Sequence, residues 1–97
     1  MLPVLFIVVK SEFQGKGIGK KLIQRLNQIA KRRYSFIVLS VIKENKQAVN
    51  LFKKFRYKVF SEKKGFYYMV YPINLKGEII SKILILAPSI YLSLIHI

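Results

Sequence analysis

Hydrophobic and polar positions alternate in blocks along this chain, and each block has the length of one secondary-structure element. Leu2, Pro3, Val4, Leu5, Phe6, Ile7, Val8 and Val9 form a short continuous apolar run, β-branched toward its end, the pattern of a strand covered on both faces. From Ile18, apolar residues recur at Leu22, Ile23, Leu26, Ile29 and Ala30, while Lys20, Lys21, Arg25, Lys31 and Arg32 fall mostly outside that stripe, which predicts an amphipathic helix. Residues 36–42 read as a second buried strand. Asn45 stands at an N-cap position, ahead of Ala48, Leu51, Phe52 and Phe55 as the inner stripe of a second helix. Residues 57–60 and 66–71 are strand-like, and Ser61, Glu62, Lys63, Lys64 and Gly65 between them predict a hairpin. The predicted order is strand, helix, strand, helix, strand, strand, an α/β chain.

The tail is harder to read. Residues 83–97 carry no Asp, Glu, Lys or Arg, yet they fall short of the roughly 20 residues that a membrane-spanning helix needs, and Pro88 interrupts them. Their apolar run suits an extra strand, a segment that docks on a partner, or no regular element. The apolar start lacks a preceding basic stretch and a following small-residue cleavage site, so it does not read as a signal peptide.

Composition narrows the classes. Ninety-seven residues, 53% of them hydrophobic, make one small domain and argue against disorder, despite 18 Lys+Arg against 4 Asp+Glu and a formal net charge of +14. The absence of Cys excludes disulfides, thiolate zinc sites and a cysteine nucleophile, and the single His96 cannot build a multi-histidine metal site. A reducing cytoplasm fits. The charge asks for an anionic partner: nucleic acid, an anionic membrane surface or a phosphorylated small molecule. Solvated surface lysines account for much of it equally well.

Two motifs carry chemistry. Gln14, Gly15, Lys16, Gly17, Ile18 and Gly19 form a glycine-rich turn that opens the first helix, where backbone N–H groups and the positive helix end favour a phosphate. The dinucleotide pattern laid on Gly15 and Gly17 meets Lys20 where a third glycine belongs. The P-loop pattern laid on Gly19 and Lys20 would need a glycine at Gln14 and a hydroxyl at Lys21. Both fail, which leaves Gln14-x-x-Gly17-x-Gly19. About 30 residues later, directly after the second strand, comes Asn45-x-x-Ala48-x-x-Leu51-Phe52-x-x-Phe55-Arg56-Tyr57.

In this order and spacing the two motifs resemble the GCN5-related N-acetyltransferase (GNAT) family, whose members use acetyl-CoA. The resemblance covers roughly residues 2–73 and implies the family's fourth strand onward: a partial three-layer fold around a mixed sheet, with residues 1–75 as the partial domain and residues 76–97 as an apolar tail. It implies that the fourth and fifth strands splay, so that the backbone of Ile7, Val8 and Val9 holds the acetyl-pantetheine arm. The loop from Gly15 to Lys20, Gly17, Ile18 and Gly19 included, would cradle the pyrophosphate. Asn45 would contact the arm or simply cap its helix, and Phe52 stands where many members carry a tyrosine that protonates the departing thiolate. Phe52 has no such proton, Ser40 stands where one branch has a glutamate base, and Arg56 replaces the usual glycine before the aromatic. Tyr57, Tyr67 and Tyr68 are the substitutes to be checked by geometry.

The expected activity is therefore transfer of an acetyl group from acetyl-CoA to an unidentified amine, with no metal. Family members usually carry further strands and helices before this point, so the resemblance also implies a truncated chain with an open sheet edge, which a homodimer would cover. The alternative from another class is a basic nucleic-acid-binding module that stacks bases on Phe66, Tyr67 and Tyr68. No recognised nucleic-acid motif accompanies it. A membrane-associated protein, using the tail and the positive charge, is a third.

Overall fold

A computed structural model describes residues 4–9 and 18–90, the side chain of Ile18 excepted. The elements are β1 (Val4–Val9), α1 (Ile18–Ala30), β2 (Phe36–Ile42), α2 (Lys46–Lys54), β3 (Lys58–Lys63), β4 (Phe66–Pro72), α3 (Leu75–Leu86) and a short 3-10 turn, Pro88–Ile90. The strands form one mixed sheet in the order β1-β2-β4-β3. β1 lies parallel to β2, and β4 runs antiparallel to both β2 and β3.

Three layers result. α1 and α2 cover one face of the sheet, where Ile23, Ala30, Ala48, Val49 and Phe52 meet Ile37, Leu39, Val41, Tyr57 and Met69. α3 covers the other face through Ile80 and Leu84 over Phe36, Val38, Phe60 and Val70. β2 is central, lined by α1 and α2 along one face and by α3 over Phe36 and Val38 on the other, which is why most of its sequence is a continuous apolar run instead of an alternating one. The inner stripe of α1 is narrower than the spacing predicts. Ile23 and Ala30 are buried, but Leu22 and Ile29, on its flank, stay 55% and 53% exposed.

The exit of α2 answers the question raised by Arg56. Arg56 N–H donates to the Lys53 carbonyl and Tyr57 N–H to the Phe52 carbonyl, both at 3.0 Å, the two bonds of a Schellman cap. Arg56 takes the left-handed position at φ 72°, and Tyr57 packs edge-on against Phe52 with ring centroids 5.1 Å apart, the apolar contact that accompanies such a cap. The β3–β4 hairpin is tighter than expected. β3 continues past Phe60 to Lys63, with a bulge between Val59 and Ser61, and only Lys64 and Gly65 turn the chain. Both have positive φ, 50° and 86°, as a two-residue type I′ turn requires.

The sequence order lacks α3. Asn74 caps this helix by accepting from Gly77 N–H at 3.0 Å. Gly77 then lies directly on the chain entering β2: a Cβ there would stand 1.7 Å from the Ser35 carbonyl oxygen. Residues 75–90 thus form a helix and a turn, and residues 91–97 lie outside the described residues. No helix among the described residues is long and apolar enough to cross a membrane.

Candidate functional site

Among the described strands β1 and β2 are the one parallel pair, so their carboxyl ends lie together, Val9 opposite Val41. Both following helices start at that end. α1 begins at Ile18 and leads, through a short turn, back to the start of β2, so it runs against the strands. α2 begins four residues after β2 ends. Two helix N-termini, each with first-turn N–H groups lacking intrahelical partners and a positive dipole end, therefore stand at the carboxyl edge of a parallel pair. That is where α/β sheets bind phosphate-bearing ligands. Lys20 and Lys46 are exposed in the first turns of these helices, and neither α1 nor α2 has an acidic residue there.

The residues singled out by sequence fall as follows. Gln14, Gly15, Lys16 and Gly17 lie outside the described residues. Ile18 opens α1, Gly19 is buried beside it, and Lys20 is exposed. Asn45 is the N-cap of α2: its side-chain oxygen accepts from Ala48 N–H at 3.3 Å. Phe52 is buried in the core against Tyr57. Ile7, Val8 and Val9 pair with Leu39, Ser40 and Val41 in unbroken register. The strand separation implied at these three residues is therefore not present within Val4–Val9. The donor set at the helix N-termini suits a phosphate-bearing ligand, and beside it β1 and β2 stay paired through Val9.

Among the tyrosines, geometry separates one from the other two. Tyr57 is buried and donates its phenol proton to Asn27 Oδ1 at 2.8 Å. Burial, helped by the adjacent Tyr71, pushes its phenol well above the ordinary range, so its proton is held tightly. It is a structural group. Tyr67 and Tyr68 sit opposite Val41 and Ser40, at the carboxyl end of β2. Tyr67 lies on the α1/α2 side with Lys43 Nζ 5.5 Å from its ring centroid, and Lys43 also pairs with Glu62. Tyr68 is on the α3 side, tilted against Phe60.

Ser40 is buried between Val8 and Tyr68 on the strands flanking it. On this side of the sheet the core under α3 takes in Phe36 and Val38 of β2, with Val4 and Tyr68 packed against it. Among the described residues Phe6, Val8 and Ile42 remain 45%, 46% and 40% exposed, so a partly exposed apolar floor surrounds the buried Ser40 beside the helix-terminus site. Sequence reading found Ser40 and Tyr68 but not this floor, because no local signal shows which strand residues the third layer leaves uncovered. It also missed Asn27, a mid-helix polar residue whose partner is 30 positions away. Among the described residues no three or more His, Cys, Asp or Glu side chains group as metal ligands.

A layered α/β fold whose parallel pair ends at two helix N-termini is an arrangement that favours anionic ligands. Residues 3–57, more than half of the chain, match the model of the Acetyltransferase (GNAT) family. The chain belongs to that family. It is 40% identical over 50 residues to an uncharacterized N-acetyltransferase of Dictyostelium discoideum, covering 50% of this chain and 23% of that protein. A crystal structure of a Pyrococcus horikoshii protein superposes with a TM-score of 0.60 at 35% identity, over 65% of this chain and 40% of that one. The Campylobacter jejuni N-acetyltransferase PseH superposes with a TM-score of 0.59 over 63% of this chain and 45% of that one; at 24% identity this likeness concerns the fold. The chain spans less than half the length of each of these relatives.

Proposed function

We propose that this chain binds acetyl-CoA and forms part of an enzyme that transfers the acetyl group to an amine. The observation that carries the proposal is the meeting of the α1 and α2 N-termini at the carboxyl ends of β1 and β2, within the stretch that matches the family. The first-turn N–H groups of α1 at Ile18, Gly19 and Lys20, continuing the Gly15–Gly17 loop, would hold the pyrophosphate, with Lys20 adding charge. Asn45 would serve as the α2 cap while facing the same end. Acetyl-CoA, when bound, supplies a thioester that an amine can attack.

The open floor around Ser40, with Phe6, Val8 and Ile42, is the surface from which an acceptor amine would approach, and its apolar character favours an amine next to an uncharged group. Tyr68 borders that floor, opposite Ser40, and is the tyrosine whose replacement by Phe would test for proton exchange there, since Phe52 has no proton to give. Among the described residues β1 is one of the two edge strands of the sheet, β3 being the other. The outer row of backbone groups of β1 is where a second copy would add.

Calorimetric titration with acetyl-CoA at moderate salt tests the reading, with Gly17→Glu as the control and a short DNA duplex as competitor. Saturable binding that the substitution abolishes and DNA leaves intact is the expected result. A folded chain that does not bind acetyl-CoA refutes the proposal, and steeply salt-dependent DNA binding without acetyl-CoA binding favours the nucleic-acid module.

A further inference from the structure

We propose that the cleft between α3 and the β3 edge of the sheet binds a small polyol phosphate, at a site separate from the acetyl-CoA end. The cleft encloses about 300 Å³, the lower end of ordinary ligand pockets. Arg56, Lys58 and Lys82 line it, from three different places in the fold: the exit of α2, the start of β3 and the middle of α3. None of the three forms an ion pair among the described residues; the Lys43–Glu62 pair lies near the opposite end of the sheet. Three cations against one carboxylate, Glu78, around one cavity favour an anion, and an arginine fork with two ammonium groups suits a phosphate.

The identity of residue 56 is the second observation. The Schellman cap explains why the backbone turns left-handed there, but the residue that fits such a position without strain is glycine. The cap has no use for a guanidinium. The cleft does, and strain kept at a residue that lines a cavity points to a role for its side chain.

The rest of the lining refines the ligand. Glu78 shares the cleft and would repel a bare polyanion, but it accepts hydrogen bonds from hydroxyl groups. Ser81 donates to the Glu78 carbonyl at 2.9 Å, which leaves its oxygen as an acceptor. Val70 and Ile85 supply a short apolar wall. A phosphate at the cationic side with hydroxyls toward Glu78 and Ser81 satisfies each of these groups. The cleft lies where β4 ends, and Pro72 stands opposite Phe36 at the start of β2. Phe36 and Val41 are separated by roughly 16 Å along the strand, so the two sites occupy opposite ends of the sheet.

The test is a titration of the ¹⁵N-labelled full chain with inorganic phosphate and with glycerol 3-phosphate at constant ionic strength, followed by amide shifts. Saturable shifts at Lys58, Val70, Ser81 and Lys82 are expected, with glycerol 3-phosphate about tenfold tighter than phosphate, the equivalent of one good hydrogen bond. Arg56→Gly, which relieves the backbone and keeps the fold, should weaken binding about tenfold, as should Lys82→Gln. Glu78→Gln should tighten inorganic phosphate while reducing the preference for the polyol. Acetyl-CoA should not compete. Shifts that fail to saturate and spread over the lysines of α1 and α2 would overturn the proposal, as would an Arg56→Gly protein that binds as well as the parent. Because the readout is phosphate binding at one end of the sheet, failure here leaves acetyl-CoA binding at the other end to its own test.

Discussion

The Tyr57 phenol donates to Asn27 Oδ1 at 2.8 Å, joining the residue that leaves α2 to the middle of α1. The bond fixes the spacing of the two helices whose N-termini make the candidate site. Replacing Tyr57 with Phe keeps the ring contacts with Phe52 and Tyr71 but leaves the Asn27 oxygen without this donor. Urea unfolding should show a loss of about 1 kcal/mol.

The same hydroxyl gives a pH signature. Its folded-state pKa is raised by burial and by Tyr71, so the folded protein holds the proton after the unfolded chain has released it. The contribution is complete below the unfolded value of about 10 and is lost as pH rises from there toward the folded value. The stability difference between the parent and Tyr57→Phe should therefore be constant from pH 6 to 9. Above about 10 it should shrink by up to about 1.4 kcal/mol per pH unit. Taking the difference between the two proteins isolates the phenol. A difference that stays constant through pH 11 would mean that the phenol is not held in this way.

Arg56 at φ 72° offers the opposite change, a substitution that stabilises. Left-handed backbone costs a non-glycine residue on the order of 1–2 kcal/mol, and glycine's greater freedom in the unfolded chain takes back about half of that. Arg56→Gly should raise the urea midpoint by the equivalent of about 1 kcal/mol with an unchanged m-value. Arg56→Ala, which keeps the strain, should leave the midpoint nearly where it was. Equal effects of the two substitutions would contradict the cap geometry.

How much could be read beforehand follows from where each signal resides. α1, β2 and α2 were legible because their apolar spacing is local, and the glycine loop with the Asn45 motif gave the family. α3 was not, because Ile79, Ile80, Ile83, Leu84, Ile85 and Leu86 are apolar on nearly every side and show no clean helical stripe. Only two of these six, Ile80 and Leu84, are buried against the sheet. The end of β3 was hidden by Ser61, Glu62 and Lys63, polar residues carried past a bulge to a two-residue turn. Asn27 and the lining of the α3 cleft depend on contacts between distant segments, which no window of sequence contains. The loop at Gln14–Gly17, the most legible chemical feature, lies outside the described residues.

Gly77 is the point on which α3 depends. Its α-carbon approaches the Ser35 carbonyl so closely that an added methyl would overlap the oxygen, and that carbonyl already accepts Ile73 N–H at 2.8 Å. Backbone on both sides leaves little room to adjust. Gly77→Ala should cost on the order of 3 kcal/mol and uncover Phe36 and Val38, detectable as increased binding of a hydrophobic dye. Lys76→Ala, one position away and exposed, should change stability by no more than about 0.5 kcal/mol. An alanine at 77 that leaves stability intact would show that α3 does not seat on Ser35.

The pairing of β1 with β2 makes a prediction about the acetyl-CoA complex. Val8 and Val9 stand in register with Ser40 and Val41, so an acyl-carrying arm can lie between these strands only if the ladder opens at its carboxyl end. The amino end, where Val4 meets Phe36, is anchored on the α3-side core and should not move. In NMR spectra of the free chain, contacts should be seen between Val9 and Val41 and between Val4 and Phe36. Saturating acetyl-CoA should remove the first and keep the second. If acetyl-CoA binds and the Val9–Val41 contact survives, the arm lies outside the ladder, and the outer edge of β1, unpaired among the described residues, becomes the surface against which it runs.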